Sequence, residues 1–444
     1  MNRALLAVAT LVASIATAAP VRAEDLVQVY QDALRNDPTL AAAQASYRAT
    51  QEAVPQARSA LLPNVNLEAQ ANVNQYDASV FTDPRVNIDR NFWFGGLTVS
   101  ASQPLYRYAN KVALSEAEKQ AAQAEYTLKS AQQDLMLRVA GAYFDILLAQ
   151  YNIELAESQK AAVSEQLAQA KRNFEVGVAT ITDTNEAQAA YDRIAAQEIT
   201  AKNDLENKRT ALRAIIGHVP PELKRFGRSF EPTLPQPDSL NYWVERALSD
   251  NLAVKVALYN SDIASLEVER QRAARLPTID LVGSVNAQGS NGTVQVGVRS
   301  NSEQSMIGLA LNIPLYTGGF IDSKVRQAVA LQESARHNLE LARRNALSGA
   351  QTGFTGVTSA VASVKAFEQA LKSAQVAYES NKTGQEVGVR TNLDVLNTQQ
   401  QVFQTRRDLA QAYFNYLLGV LQLKAATGTL SIEDLQDANR RLTG

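Results

Sequence analysis

The chain carries the same unit twice. Leu62-Pro63-Asn64-Val65-Asn66-Leu67 returns as Leu276-Pro277-Thr278-Ile279-Asp280-Leu281, and Pro104-Leu105-Tyr106 returns as Pro314-Leu315-Tyr316. Gly177-Val178-Ala179-Thr180-Ile181-Thr182-Asp183 returns as Gly388-Val389-Arg390-Thr391-Asn392-Leu393-Asp394. The three pairs keep their order at offsets of 214, 210 and 211 residues. One unit of about half the chain is therefore duplicated, which is too long for a short-period solenoid. The expected partition is a signal segment over 1–23, a first repeat over 24–216 and a Pro-rich linker over 217–241. A second repeat over 242–428 and a tail over 429–444 follow.

The first 23 residues read as a secretory signal. Arg3 opens a short positive region, Ala4 to Ala16 are apolar, and Val21-Arg22-Ala23 is a small-residue cleavage site. The alternative, a membrane anchor, needs a longer and more apolar stretch. There is no cysteine, so neither disulfides nor a lipid on a mature N-terminal Cys enter the argument. The net charge of −2 becomes −4 once Arg3 and Arg22 are lost, too mild to argue for nucleic acid. After Ala23 no run of 18 apolar residues occurs. That excludes a helical membrane protein but leaves room for a barrel.

Each copy carries strands that suit such a barrel. Over 64–74, Val65, Leu67, Ala69, Ala71 and Val73 alternate with Asn64, Asn66, Glu68, Gln70, Asn72 and Asn74. That length matches a tilted transmembrane strand of about 9–11 residues. Residues 93–103 alternate likewise, as do 278–288 and 305–313. Val294, Val296 and Val298 alternate too, leaving open which later strand runs on. Phe92, Trp93 and Phe94 at one end, and Tyr106, Tyr108 and Tyr316 at the other, fit interfacial girdles. A water-soluble antiparallel sheet alternates in the same way; the uniformly polar second face, with Glu68 and Asp280, favours a wet lumen. The outer loops are expected over about 75–91 and 289–303. Four strands cannot close a barrel, and an open channel needs more than eight. Three chains supply twelve.

Pro104 and Pro314 are expected to end strands, and Pro63 and Pro277 to precede them. A seam of steps of three and four, with one gap at Lys160, then runs from Leu128 through Leu135, Val139, Ile146 and Ile153 to Phe174. Helices are expected over about 108–174 and 322–387, each near ~100 Å at 1.5 Å per residue. Return helices over 183–216 and 394–427, and others over 25–61 and 242–275, complete the set. The seams are Ala-rich. On periodicity alone a two- or four-stranded coiled coil competes; attachment to barrel strands favours a hollow helical tube that continues the bore. The expected fold is thus a mixed α and β membrane protein. It is a homotrimeric 12-stranded β-barrel, four strands per chain, continued by a long α-helical barrel and internally duplicated.

The helix turns explain themselves locally. Gly177 and Gly388 suit the left-handed residue that stops a helix. Thr180 and Thr391 suit N-caps, with Asp183 and Asp394 at capping-box spacing. Together the signal segment, the duplicated strand–Pro–helix pattern and the two G-V-x-T-x-x-D turns resemble the TolC family of outer-membrane channel proteins over residues 24–430. The resemblance implies the outer membrane of a Gram-negative bacterium and a tunnel reaching into the periplasm. It also implies an exit duct for tripartite efflux or type I secretion. The implied partners are two further copies, outer-membrane lipid, a periplasmic adaptor and an inner-membrane transporter of the RND, ABC or MFS type.

In that family neighbouring turns clasp to close the periplasmic end. Carried over by motif, Thr182 and Asp183 would be acceptors, Arg390 the donor, and Asp394 a ring of three carboxylates at the aperture. Two departures stand out: a common Tyr three residues before the second Gly is Gln385 here, and a second acidic constriction position is Asn397. No nucleophile elbow, Walker loop, dinucleotide fingerprint or zinc spacing is present, so no enzyme activity, cofactor or metal is expected. The competing class is a trimeric adhesive stalk with a small barrel anchor.

Overall fold

The computed structural model describes residues 24–81, 84, 86–220, 222–224, 230–292 and 299–443. The expected signal segment and the alternating Val294, Val296 and Val298 lie outside the described residues. In chain order the elements are α1 (Leu26–Asn36), α2 (Pro38–Gln51), α3 (Ala53–Ser59), β1 (Asn64–Val80) and β2 (Val86–Tyr106). Then come α4 (Tyr108–Glu175), α5 (Ile181–Ile216), α6 (Leu240–Asp250), α7 (Leu252–Ala273), β3 (Thr278–Ser290) and β4 (Ser300–Asn312). The chain ends with α8 (Phe320–Glu386), α9 (Asn392–Ala426) and α10 (Ile432–Thr443).

The strands form one antiparallel sheet in the order β1-β2-β3-β4. Alternation fixes the pairing, because a one-residue slip would turn every side chain over. Leu67 faces Val99 and Ala69 faces Leu97; Val99 in turn faces Val285, and Leu281 faces Leu309. All the alternating apolar residues therefore share one face. That face is not covered by the chain itself: Val73 is 85% exposed and Ile307 80%.

The first hairpin runs further than alternation indicates. β1 has 17 residues and β2 has 21, so the expected loop over 75–91 is largely strand. Beyond Asn74 the alternation changes phase while the backbone ladder continues: the apolar positions move from odd to even numbers, with Ala78 opposite Ile88 and Val80 opposite Val86, and Asp77 stands opposite Asp89. The ladder itself runs through main-chain hydrogen bonds and needs no single apolar face. Nor does Pro104 end its strand: it pairs with Asp280, and β2 continues to Tyr106 past a register shift between the two. That irregularity absorbs the missing N–H. Pro63 and Pro277 stand immediately before β1 and β3, and Pro314 lies two residues past β4.

The segment over 25–61 is three helices, not one. Asp37 is extended, with φ −69° and ψ 117°, as the residue before a proline tends to be. Pro55 lacks an N–H and crowds the carbonyl four residues back, so α2 ends at Gln51. The segment over 242–275 is likewise split, at Asn251, whose side chain accepts the Val254 N–H at 3.1 Å and restarts the helix as α7. The long helices hold: α4 has 68 residues and α8 has 67.

The chain divides into two compact units that cut across the repeats. One comprises residues 39–132 and 243–350, the other residues 1–38, 133–242 and 351–444. In the first, Ala247, Val254, Leu339, Ala346 and Ala350 form a small-residue core between helices. In the second, Leu26, Val29, Ala33, Leu135, Tyr143, Ile146 and Leu435 are buried, and α1 packs on α5 and α10. The linker and the tail meet at Tyr416 in this unit. Its hydroxyl donates to the Thr233 carbonyl at 2.9 Å and accepts from Arg441 at 3.3 Å.

Candidate functional site at the helix turns

Both turns are built by the same short code. Gly177 and Gly388 each have φ +79°, a left-handed conformation that is easy only without a Cβ. Beyond them the chain folds back on the carbonyls of the preceding helix. Val178 and Ala179 N–H donate to Asn173, and Val389 and Arg390 N–H donate to Gly384, at 2.9–3.2 Å. Thr180 Oγ1 accepts the Asp183 N–H at 3.2 Å while Asp183 Oδ2 accepts from the Thr180 N–H and hydroxyl at 2.9 and 2.8 Å. Thr391 and Asp394 repeat this at 3.2, 3.0 and 2.9 Å.

The cap occupies only Oδ2 of each aspartate; among the described residues Oδ1 of Asp394 has no hydrogen-bond partner. Capping and a lumen-facing charge are therefore compatible at one side chain. Donation from the Thr391 backbone, then from its hydroxyl, and the nearby Arg390 charge hold the Asp394 carboxyl below the usual aspartate range.

The residues expected as tethers are not joined within the chain. Among the described residues no carboxylate pairs with the Arg390 guanidinium, and Thr182, like Arg390, is exposed. Gln385 donates instead to Asn392 Oδ1 at 3.3 Å, bracing its own turn. Asn397 is exposed on α9. The two hairpins touch slightly further in: Arg193 of α5 donates to Gln400 of α9 at 2.7 Å. Leu396 joins Val163, Leu167, Ala170, Ala187, Ala190 and Ile194 in one apolar cluster. Three buried polar atoms on these helices, Thr184 Oγ1, Asn392 Nδ2 and Gln399 Oε1, have no hydrogen-bond partner among the described residues.

Two features escape a sequence reading. A Cβ on Gly384 would meet Arg390 Cγ at 2.7 Å, so Gly384 lets the arginine stem lie across the end of α8. The tips also present apolar residues to solvent: Val176, Val178, Val387 and Val389 are all more than two-thirds exposed. Away from the turns, Arg107 makes a bidentate pair with Asp280 at 2.8 and 2.7 Å where β2 passes into α4. Arg138 grips the buried Asp37 at 3.0 and 3.2 Å.

Residues 29–218 and 243–429 match the family model described as outer membrane efflux protein. The chain belongs to that family. It is 37% identical over 429 residues to the outer membrane protein TolC of Vibrio cholerae, covering 95% of this chain and 94% of that one. TolC of Escherichia coli is 34% identical, with 95% of this chain and 86% of that one covered. The alkaline protease secretion protein AprF of Pseudomonas aeruginosa is 30% identical over 93% of this chain and 86% of its own. The folds agree as well. The outer membrane protein VceC of Vibrio cholerae superposes with a TM-score of 0.76 at 20% identity, covering 91% of this chain and 96% of that one. The Campylobacter jejuni CmeC outer membrane channel gives 0.77 at 17%, covering 94% and 90%.

As a member of this family the chain is an outer-membrane exit duct for efflux and secretion, and the family consists of channels rather than enzymes. The adhesive-stalk alternative is not favoured.

Proposed function

We propose that three copies assemble into one passive duct whose periplasmic aperture is closed by the turns of neighbouring copies. In this reading Arg390 donates to Thr182 and Asp183 of an adjacent hairpin, and three Asp394 carboxylates ring the opening. Asn397 leaves that ring single, and Gln385, turned inward to Asn392, takes no tethering part. The two halves, 24–216 and 242–428, act as pseudo-equivalent staves. The observation that carries the proposal is the exposed Arg390, which has no ion partner among the described residues of its own chain.

The exposed valines at the tips offer an apolar surface to a periplasmic adaptor. An inner-membrane transporter of the RND, ABC or MFS type would supply the energy. An exposed ion pair contributes about 0–1 kcal/mol, so three symmetry copies hold the gate with about 3 kcal/mol at most, within reach of adaptor binding.

The test is single-channel conductance in planar bilayers. Arg390→Ser is expected to raise conductance several-fold, and an unchanged value would remove Arg390 from the gate.

A further inference from the structure

The repeat does more than double the sequence; it doubles the register. In the first copy Asn64 faces Ser102, and in the second Thr278 faces Asn312. These are the same pair once 214 is added to the β1 number and 210 to the β2 number, the offsets seen at the two prolines. The two hairpins are thus superimposable in register along their common length. The contact between them, β2 with β3, is the strand seam between the repeats among the described residues, and its register is known: Leu97 faces Ala287, Val99 faces Val285 and Ala101 faces Gly283.

That seam has one counterpart. β4 stands where β2 stands, β1 stands where β3 stands, and both are the free edges of the sheet. We infer that β4 pairs with β1 of the next copy in the register the internal seam dictates: Ile307 opposite Val73, Leu309 opposite Ala71, and Leu311 opposite Ala69 of the next copy. The ladder runs from Gln304 opposite Tyr76 to Pro314 opposite Asn66. This inference rests on the assembly proposed above and specifies its seam.

Two independent features agree with it. First, the parity is right. The offsets come from the proline-flanked motifs at the strand ends, yet they place the exposed apolar residues of β4 opposite the exposed apolar residues of β1. A shift by one residue would set Leu309 beside Asn72 or Gln70. Second, free edges of this length are a liability that pairing with another copy removes, and a strand edge in lipid must be closed.

The chain has no cysteine, so the register is open to disulfide mapping in the full-length protein in its membrane. Directly opposite residues have Cα atoms about 4.5–5.5 Å apart, within disulfide reach. β1 and β4 of one copy are three strand spacings apart, roughly 14 Å, so any bond must join two copies. The matched pairs are Leu309→Cys with Ala71→Cys and, independently, Ile307→Cys with Val73→Cys. The mismatched control, Leu309→Cys with Leu67→Cys, is four residues off, about 13 Å.

After oxidation both matched pairs are expected to give at least tenfold more cross-linked chain than the control, in a ladder ending at three copies. Cross-linking in the control but in neither matched pair overturns the register. So does a trimer captured by a lysine-reactive reagent with no disulfide in either matched pair. A matched-pair ladder ending at another number keeps the register and overturns the trimer. If the lysine reagent captures no oligomer of the unsubstituted protein and no disulfide forms, assembly and register both fall.

Discussion

Arg390 owes its placement to a residue that carries no side chain. Its stem crosses α8 at Gly384, where a Cβ would come within 2.7 Å of Arg390 Cγ. Gly→Ala in a helix interior ordinarily stabilises by about 0.5–1 kcal/mol. Gly384→Ala is therefore expected to leave thermal stability unchanged or slightly raised, while shifting conductance in the same direction as Arg390→Ser. A fall in melting temperature with normal conductance would make Gly384 a packing residue only.

Asp394 allows a second test at this scale. Its carboxyl is held low by the Thr391 backbone and hydroxyl and by the Arg390 charge. A depressed carboxyl contributes its cap above the unfolded value of about 3.9 and loses it as pH falls through the lower folded value. Block of conductance by trivalent cations is expected to persist from pH 8 to about pH 4 and to fade only below that. Loss of block between pH 7 and 5 would point to another group. The turn residues were legible because their chemistry is local: Gly, Thr and Asp within seven positions dictate stop, turn and cap. Gly384 was not, because its meaning depends on where another side chain lies.

At the scale of elements, the long helices and the alternating strands were legible because each repeats one rule over many residues. The breaks were less so. An Ala-rich stretch such as 38–51 reads as helix throughout, and the weight of Pro38 and Pro55 on either side of it is easily missed. The Arg138–Asp37 pair was invisible, its partners being 101 residues apart with no pattern linking them. It ties α4 to the α1–α2 corner, and Asp37 is almost wholly buried. Removing the arginine takes the countercharge from a buried carboxylate, and breaking a buried ion pair typically costs up to about 3–5 kcal/mol. Arg138→Ala is expected to lower the unfolding midpoint accordingly, by circular dichroism in detergent, whereas Asp37→Asn with Arg138→Met should recover most of that loss. An equal loss in both variants would mean that the corner depends on packing rather than on the charge.

For the whole molecule, duplication makes the differences between copies informative. Inside one chain the strand-to-helix junction is locked where Arg107 holds Asp280. The repeat places Thr317 where Arg107 stands, one residue past the shared Tyr, and Asn66 where Asp280 stands. In the proposed register those two meet across the seam between copies, so a closed barrel would alternate charged junctions within chains with neutral ones between them. The seam between copies is then the weaker of the two, and it can be altered. Thr317→Arg together with Asn66→Asp would install the missing pair at all three seams. With the arginine partly exposed, each is expected to contribute about 1 kcal/mol after solvent screening. The double variant should resist dissociation to monomers in detergent at a temperature above that of the unsubstituted trimer. Each single variant, which introduces one unpaired charge, should fall below it. This non-additivity is the signature of direct contact, since two residues on opposite edges of one sheet cannot couple within a single chain. Additive effects of the two substitutions would place Thr317 and Asn66 apart and move the junction out of the proposed register.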